Sequence, residues 1–123
     1  MSPALLLALF IFLALTVLPS PRAAAASKEE SDALAGAILF RDKGCAHCHG
    51  FNLEGTKKGP ALAHIRGDKH WPPDKITNQI LNGGQKMPPF GDSLSDPEIA
   101  KVVTYLRAKH RPVPPPAASE SSQ

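Results

Sequence analysis

Cys45-Ala46-His47-Cys48-His49 is the stretch on which the reading of this chain turns. Two thiols three residues apart, with an imidazole directly after the second, form the pattern to which haem is attached covalently. The chemistry uses each part. Each thiol adds across one haem vinyl group to make a thioether. The two-residue spacer lets Cys45 and Cys48 reach vinyls on neighbouring pyrrole rings, and His49 then lies under the iron as an axial ligand. Two other readings use the same residues. A zinc site needs a fourth ligand of suitable type; the chain has no third cysteine, and His64 and His70 are only loosely placed. A redox dithiol expects a βαβ pattern around it, and no such pattern is present.

On the N-terminal side, the pattern predicts a helix over 27–43. Ser27 or Ser31 is positioned to cap it, with Glu29, Glu30 and Asp32 near its positive end. Ala33, Gly36, Ala37 and Phe40 recur at i, i+3, i+4 and i+7 on one face, and Leu34, Ile38 and Leu39 widen the stripe. Gly36 costs about 1 kcal/mol against Ala in a helix interior; a helix crossing close over its bare backbone is one reason to keep it. Gly44 is suited to end the helix in a left-handed cap. Before all this runs an apolar stretch, Ala4 to Leu18, then Pro19, Pro21 and a small-residue run, Ala23-Ala24-Ala25-Ala26. That is the form of a secretory signal, residues 1–26, although no Lys or Arg precedes the apolar run. The alternative is a retained N-terminal anchor, for which the run falls short of the roughly 20 residues a spanning helix needs. Export would normally pair two lone thiols in a disulfide; thioether formation consumes both.

On the C-terminal side, 50–71 reads as a glycine-rich loop, and a loop this long in a small domain usually wraps something. Gly59-Pro60-Ala61-Leu62 is its informative part. A metal-bound His generally gives its other ring N–H to a carbonyl or carboxylate. A rigid Gly-Pro turn can fix a carbonyl for that purpose, and Leu62 would close the face of the ring. A shorter helix follows at about 74–82, with Ile76, Ile80 and Leu81 apolar and Asn82-Gly83-Gly84 stopping it. Met87 is the only methionine besides Met1. Its thioether is a soft ligand suited to haem iron opposite His, and Pro88-Pro89 hold its backbone out of helix. His64 and His70 are its rivals, while His47 points away from the iron and His110 is solvated.

Ser95-Asp96-Pro97-Glu98 is a capping box opening the last helix. Ile99, Val102, Val103 and Leu106 repeat with Tyr105 beside them, and Arg107, Lys109, His110 and Arg111 crowd an end terminated by Pro112. Residues 112–123, rich in Pro, Ala and Ser, read as a disordered tail. The functional domain is 27–111, all helical, with no internal repeat and no convincing strand.

These motifs, in this order, resemble a class I c-type cytochrome, the small bacterial one-haem kind, over about Ser31 to His110. Gly36-x-x-x-Phe40 is similar to the first-helix pattern, Gly59-Pro60-x-Leu62 to the proximal loop, Met87-Pro88 with Phe90-Gly91 to the distal loop, and Tyr105-Leu106 to the end of the last helix. The resemblance implies an all-α cytochrome c fold, three to four helices around one covalent haem, with first and last helices crossing. That crossing would put Gly36 and Phe40 against Val102 and Tyr105. The resemblance also implies a Pro60 carbonyl accepting from His49, and Trp71 touching a haem propionate. The leader, foreign to the mitochondrial carriers of the family, points to a periplasm or similar exported space.

The expected function is one-electron transfer by a haem held between His49 and Met87, with no open coordination site and no catalytic triad. Phe40, Leu62, Ile80, Leu81, Phe90 and Leu106 are expected to form the apolar wall, which with Met ligation raises the potential. The alternatives are a dedicated haem subunit of a periplasmic dehydrogenase or oxidase, and a haem gas-binding or peroxidase protein in which Met87 leaves the iron. The formal charge is +3, one of which departs with Arg22 if the leader is cleaved. No basic stripe with interleaved aromatics supports nucleic-acid binding. Lys43, Lys57, Lys58 and Lys86 are placed to steer an acidic-faced redox partner. Membrane association is expected only if the leader is retained.

Overall fold

Ser20 stands in extended backbone and Pro21 takes the first helical position, where a fixed φ helps and a missing N–H is harmless. From there the chain forms α1, Pro21–Asp42. The computed structural model describes residues 20–117, so the apolar run 4–18 and the last residues of the tail lie outside the described residues. The helix therefore begins earlier than the caps at Ser27 or Ser31 suggested. Ala23–Ala26 are strong helix formers, so nothing interrupts the chain before Ser27. The Ser27 hydroxyl instead bonds back to the Ala24 carbonyl at 2.9 Å. Residues 21–31 are exposed all round, and Lys28 pairs with Asp32 at 2.6 Å across one turn. Burial starts at Ala33 and continues through Gly36, Ala37 and Phe40. Leu34, expected to widen that face, is exposed.

Gly44, at φ +82°, turns the chain from α1 directly into α2, Cys45–His49. After the loop and a 3₁₀ turn at Ile65–Gly67 come α3, Pro73–Asn82, and α4, Asp96–Arg107. No strand occurs among the described residues. The largest packing contact is α1 against α4, and α3 also packs on α4. The crossing is close because Gly36 lacks a side chain: a Cβ there would sit 2.0 Å from the Lys101 carbonyl oxygen and 2.8 Å from Tyr105 Cβ. One turn on, Phe40 and Tyr105 stack tilted with centroids 5.7 Å apart. The core around them is wholly apolar; no polar or charged residue is buried among the described residues.

α4 opens as the capping box requires. Glu98 takes the Ser95 N–H and hydroxyl, both at 2.8 Å. It closes at Arg107, well before Pro112. The reason is that Ala108 turns to extended backbone and is buried, while the Arg111 guanidinium, not a further backbone N–H, takes the Leu106 carbonyl at 2.8 and 3.2 Å. Residues 112–117 run without regular structure, and Arg41 donates to the Pro115 carbonyl.

Candidate functional site

α2 is a single helical turn, so its last carbonyls have no partners within it. The following loop supplies them. Gly50 N–H bonds the Ala46 carbonyl at 2.9 Å and Gly55 N–H bonds the His49 carbonyl at 2.8 Å. The Thr56 hydroxyl donates to the Cys48 carbonyl at 2.7 Å and accepts from Lys58 N–H at 3.0 Å. Gly59 packs flat on this turn, where a Cβ would lie 3.0 Å from the Cys48 carbonyl oxygen. The loop so fastened brings the Pro60 carbonyl to His49 Nδ1 at 2.9 Å. That bond makes Nδ1 the donor, leaves Nε2 as the ring nitrogen with a free lone pair, and fixes the ring plane. Phe40 flanks the imidazole, centroids 6.4 Å apart.

Leu53, which periodicity does not single out, holds the far end of this loop. It is 1% exposed and adopts φ +62°, a left-handed conformation rare for a branched side chain. In that conformation its carbonyl accepts from both Leu62 and Ala63 N–H, at 2.9 and 3.1 Å.

The methionine segment is tied to the end of α3 in a similar way. Gly83, at φ +69°, ends the helix and leaves room for the returning chain; a Cβ there would meet the Met87 carbonyl oxygen at 2.4 Å. Gly84 N–H bonds that carbonyl at 2.8 Å, Phe90 N–H bonds Ile80 O at 2.9 Å, and Gly91 N–H bonds Leu81 O at 3.2 Å. Met87 is thereby half-buried against the core.

Between the two loops lies a cleft of about 440 Å³, lined by His49 and Met87 together with Cys45, Pro60, Leu62 and Trp71. A second cleft of about 370 Å³ adjoins it on the Cys48 side and shares Cys45, His49, Pro60, Lys86 and Met87 as lining. Of the expected wall, Phe40, Leu62, Ile80 and Leu106 line the larger cleft and Phe90 the smaller. Leu81 lines neither; it packs beside Gly91 instead. Ile65, Ile76, Leu94 and Val102 complete the wall. Ile76 and Val102 were legible as helix-face residues, whereas Ile65 and Leu94 sit in irregular segments that carry no periodic signal. Trp71 is half-buried, with Lys75 Nζ 4.5 Å from its ring centroid. His64 borders the larger cleft, while His70, His47 and His110 are exposed and border neither.

Both cysteines are unpaired and half-buried. Burial pushes the Cys45 thiol up from its ordinary value, Cys48 beside it adds to this, and a backbone hydrogen bond opposes it. A redox dithiol has the opposite character, a depressed thiol. Among the described residues no three His, Cys, Asp or Glu side chains gather as ligands for a bare metal ion. What the cleft offers is one oriented imidazole, one thioether, two thiols at the rim and an apolar wall. That donor set fits a haem attached through both cysteines.

Comparison with known proteins agrees. The family described as cytochrome C oxidase, cbb3-type, subunit III matches residues 31–106. A cytochrome c6 of Rippkaea orientalis is 34% identical over 107 residues, covering 85% of this chain and 89% of the relative. A cytochrome c6 of Picosynechococcus is 35% identical over 103 residues, 76% of this chain and 87% of the relative. The menaquinol:cytochrome c reductase cytochrome c subunit of Bacillus subtilis is 35% identical over 77 residues, which span 60% of this chain but 29% of that protein. No solved structure matches the chain at a significant level. With the motif order, the crossing of α1 on α4 and these relatives in agreement, the chain belongs to the class I c-type cytochromes, electron-transfer proteins rather than enzymes, with one covalent haem c as cofactor.

Proposed function

We propose that the protein is an exported one-electron carrier whose haem is bonded through Cys45 and Cys48 and whose iron is held by His49 and Met87. The observation that carries this reading is the pairing across one cleft of an imidazole already oriented by Pro60 with the sole methionine of the described residues. When bound, the haem supplies a one-electron couple at iron. The chain's own residues do the rest. Pro60 keeps His49 in one tautomer and orientation, Phe40, Leu62, Ile80 and Leu106 exclude water, and Gly83 and Gly84 hold the Met87 segment in place. A dry wall and a thioether ligand both favour the less charged reduced iron and raise the potential. Trp71, which lines the same cleft, would contact a haem propionate in this reading. The spectrum of protein made with haem-maturation machinery tests the ligand set. A far-red methionine–iron band in the oxidised form and an intact mass increased by one haem are expected; bare thiols or no such band would refute it.

The partner is read from charge. Lys57, Lys58 and Lys86 line the cleft on the Cys48 side, which suits an acidic-faced redox protein. Lys43 is not part of this group; its ammonium donates to the Ser93 carbonyl at 3.2 Å. Changing Lys57, Lys58 and Lys86 to Glu is expected to slow reduction by an acidic partner and to remove its decline with salt. The leader supports an exported location, and no described helix is long and apolar enough to cross a membrane. The Bacillus relative is by name a reductase subunit, which favours a second reading, service as the haem subunit of a larger redox complex. Co-purification at fixed stoichiometry separates that from a free carrier.

A further inference from the structure

The cleft wall contributed by Leu62, Ile65 and Trp71 belongs to a loop with little regular structure, so its position depends on ties made from outside. The peptide at Ala63 is held from both sides. Its N–H goes to the Leu53 carbonyl at 3.1 Å, and its carbonyl accepts from Arg111 Nη1 at 3.0 Å. The same guanidinium closes on the Leu106 carbonyl through Nε and Nη2 at 3.2 and 2.8 Å. Leu106 itself lines the cleft. One half-buried cation therefore ties this loop to the end of α4, against which the Ile65–Gly67 turn also packs. Its charge is felt nearby: burial raises the Tyr105 phenol and Arg111 opposes that rise. Arg111 lies beyond residue 106, where the family match ends. By sequence it reads only as positive charge near a helix end, a role that any cation fills.

We infer that Arg111 is a positioning residue for electron transfer, a clamp in the segment after α4 that fixes the proximal loop against α4 and keeps water out of the haem cleft. Arginine suits this because its planar fork donates in several fixed directions at once, whereas lysine is a compact point donor. Releasing the clamp frees Ala63 from α4 and leaves the Leu106 carbonyl at a helix end without its partner. The loop then opens more often and admits water, which favours the more charged oxidised iron.

The test uses the haem-loaded protein, its Arg111→Ala and Arg111→Lys variants, and two readouts. The first is hydrogen exchange of amides in 61–71. The second is midpoint potential. Arg111→Ala is expected to raise loop exchange about tenfold, in line with loss of a charge-assisted hydrogen bond, and to lower the potential. Arg111→Lys keeps the charge but not the fork, and its loop is expected to exchange nearly as fast as that of the Ala variant. Wild-type exchange in either variant overturns the clamp, as does full restoration of both readouts by Lys, which would make the effect one of charge alone. If Arg111→Ala yields no haem-loaded protein, exchange in the Lys variant decides by the same criterion. The inference rests on the cleft holding haem, and the exchange readout is independent of whether Met87 is the ligand; failure of that assignment shows separately in the far-red band.

Discussion

Gly36→Ala puts the α1–α4 crossing to a test whose sign is informative. At an unconstrained helical site this change stabilises by about 1 kcal/mol, because alanine is the better helix former. Here the added Cβ would lie 2.0 Å from the Lys101 carbonyl oxygen and 2.6 Å from its carbon. Carbon–oxygen contacts ordinarily begin near ~3.3 Å, so the helices must part by about an ångström or more. Both atoms are α4 backbone and cannot rotate away. Overpacking of this kind costs about 1–3 kcal/mol, and the separation also weakens the dispersion contacts of Phe40 with Tyr105. Taking the upper end of that range and subtracting the propensity gain leaves a net loss of about 2 kcal/mol. The measurement is the guanidinium midpoint of the haem-loaded protein, with Gly67→Ala as control because nothing lies within 4 Å of a Cβ there. Gly67→Ala is expected to be nearly neutral. A Gly36→Ala variant as stable as wild type, or more so, would refute the packing argument, and with it the claim that this glycine sets the distance between Phe40 and the Val102–Leu106 wall.

Met87→Ala is expected to abolish the far-red band, lower the midpoint potential and let small exogenous ligands bind the oxidised iron; an unchanged spectrum would exclude Met87 from the iron. Replacing Cys45 and Cys48 together by Ala is expected to leave little folded protein, seen as lost helical circular dichroism, because the apolar cleft then has no tethered occupant; a variant with normal helicity and no haem would contradict this. Glu98 is held below its ordinary value of 4.5, first by the Ser95 N–H, then by the Ser95 hydroxyl, against an opposing effect of burial and with lesser help from Lys43 and Lys101. A carboxylate depressed in the folded state stabilises above its unfolded pKa and loses that contribution as pH falls through the folded one. Thermal midpoints measured from about pH 6 to about pH 3 are therefore expected to fall more steeply in wild type than in Glu98→Gln below 4.5; parallel profiles would remove the capping box from the acid response.

Local sequence determined what local chemistry can determine. The attachment motif needs only short spacing, so Cys45, Cys48 and His49 name the cofactor before any fold is known. Capping at Ser95 and Glu98 and the stop at Gly83 act within a few residues, and both are found as their residue types imply. Gly36 was interpretable once a crossing was considered, since an unfavourable residue in a helix interior calls for a reason. The start of α1 went the other way: without a breaker after Pro21, helix propensity carried the chain through a run that composition assigns to a leader.

Only the tertiary structure decided how the irregular segments close on the cofactor. Leu53 at φ +62°, Ile65 and Leu94 in the walls, and Arg111 bridging Ala63 to Leu106 carry no periodic or motif signal. Arg111 reaches the Ala63 carbonyl from far along the chain, and the Leu53 carbonyl takes its donors from Leu62 and Ala63, so these partners follow from how the chain folds back rather than from a repeating turn. A helix or a cap is satisfied within its own turn and so is written locally. A cleft wall built from loops is satisfied between segments, by bonds such as Leu62 N–H to the Leu53 carbonyl and Arg111 to the Ala63 carbonyl.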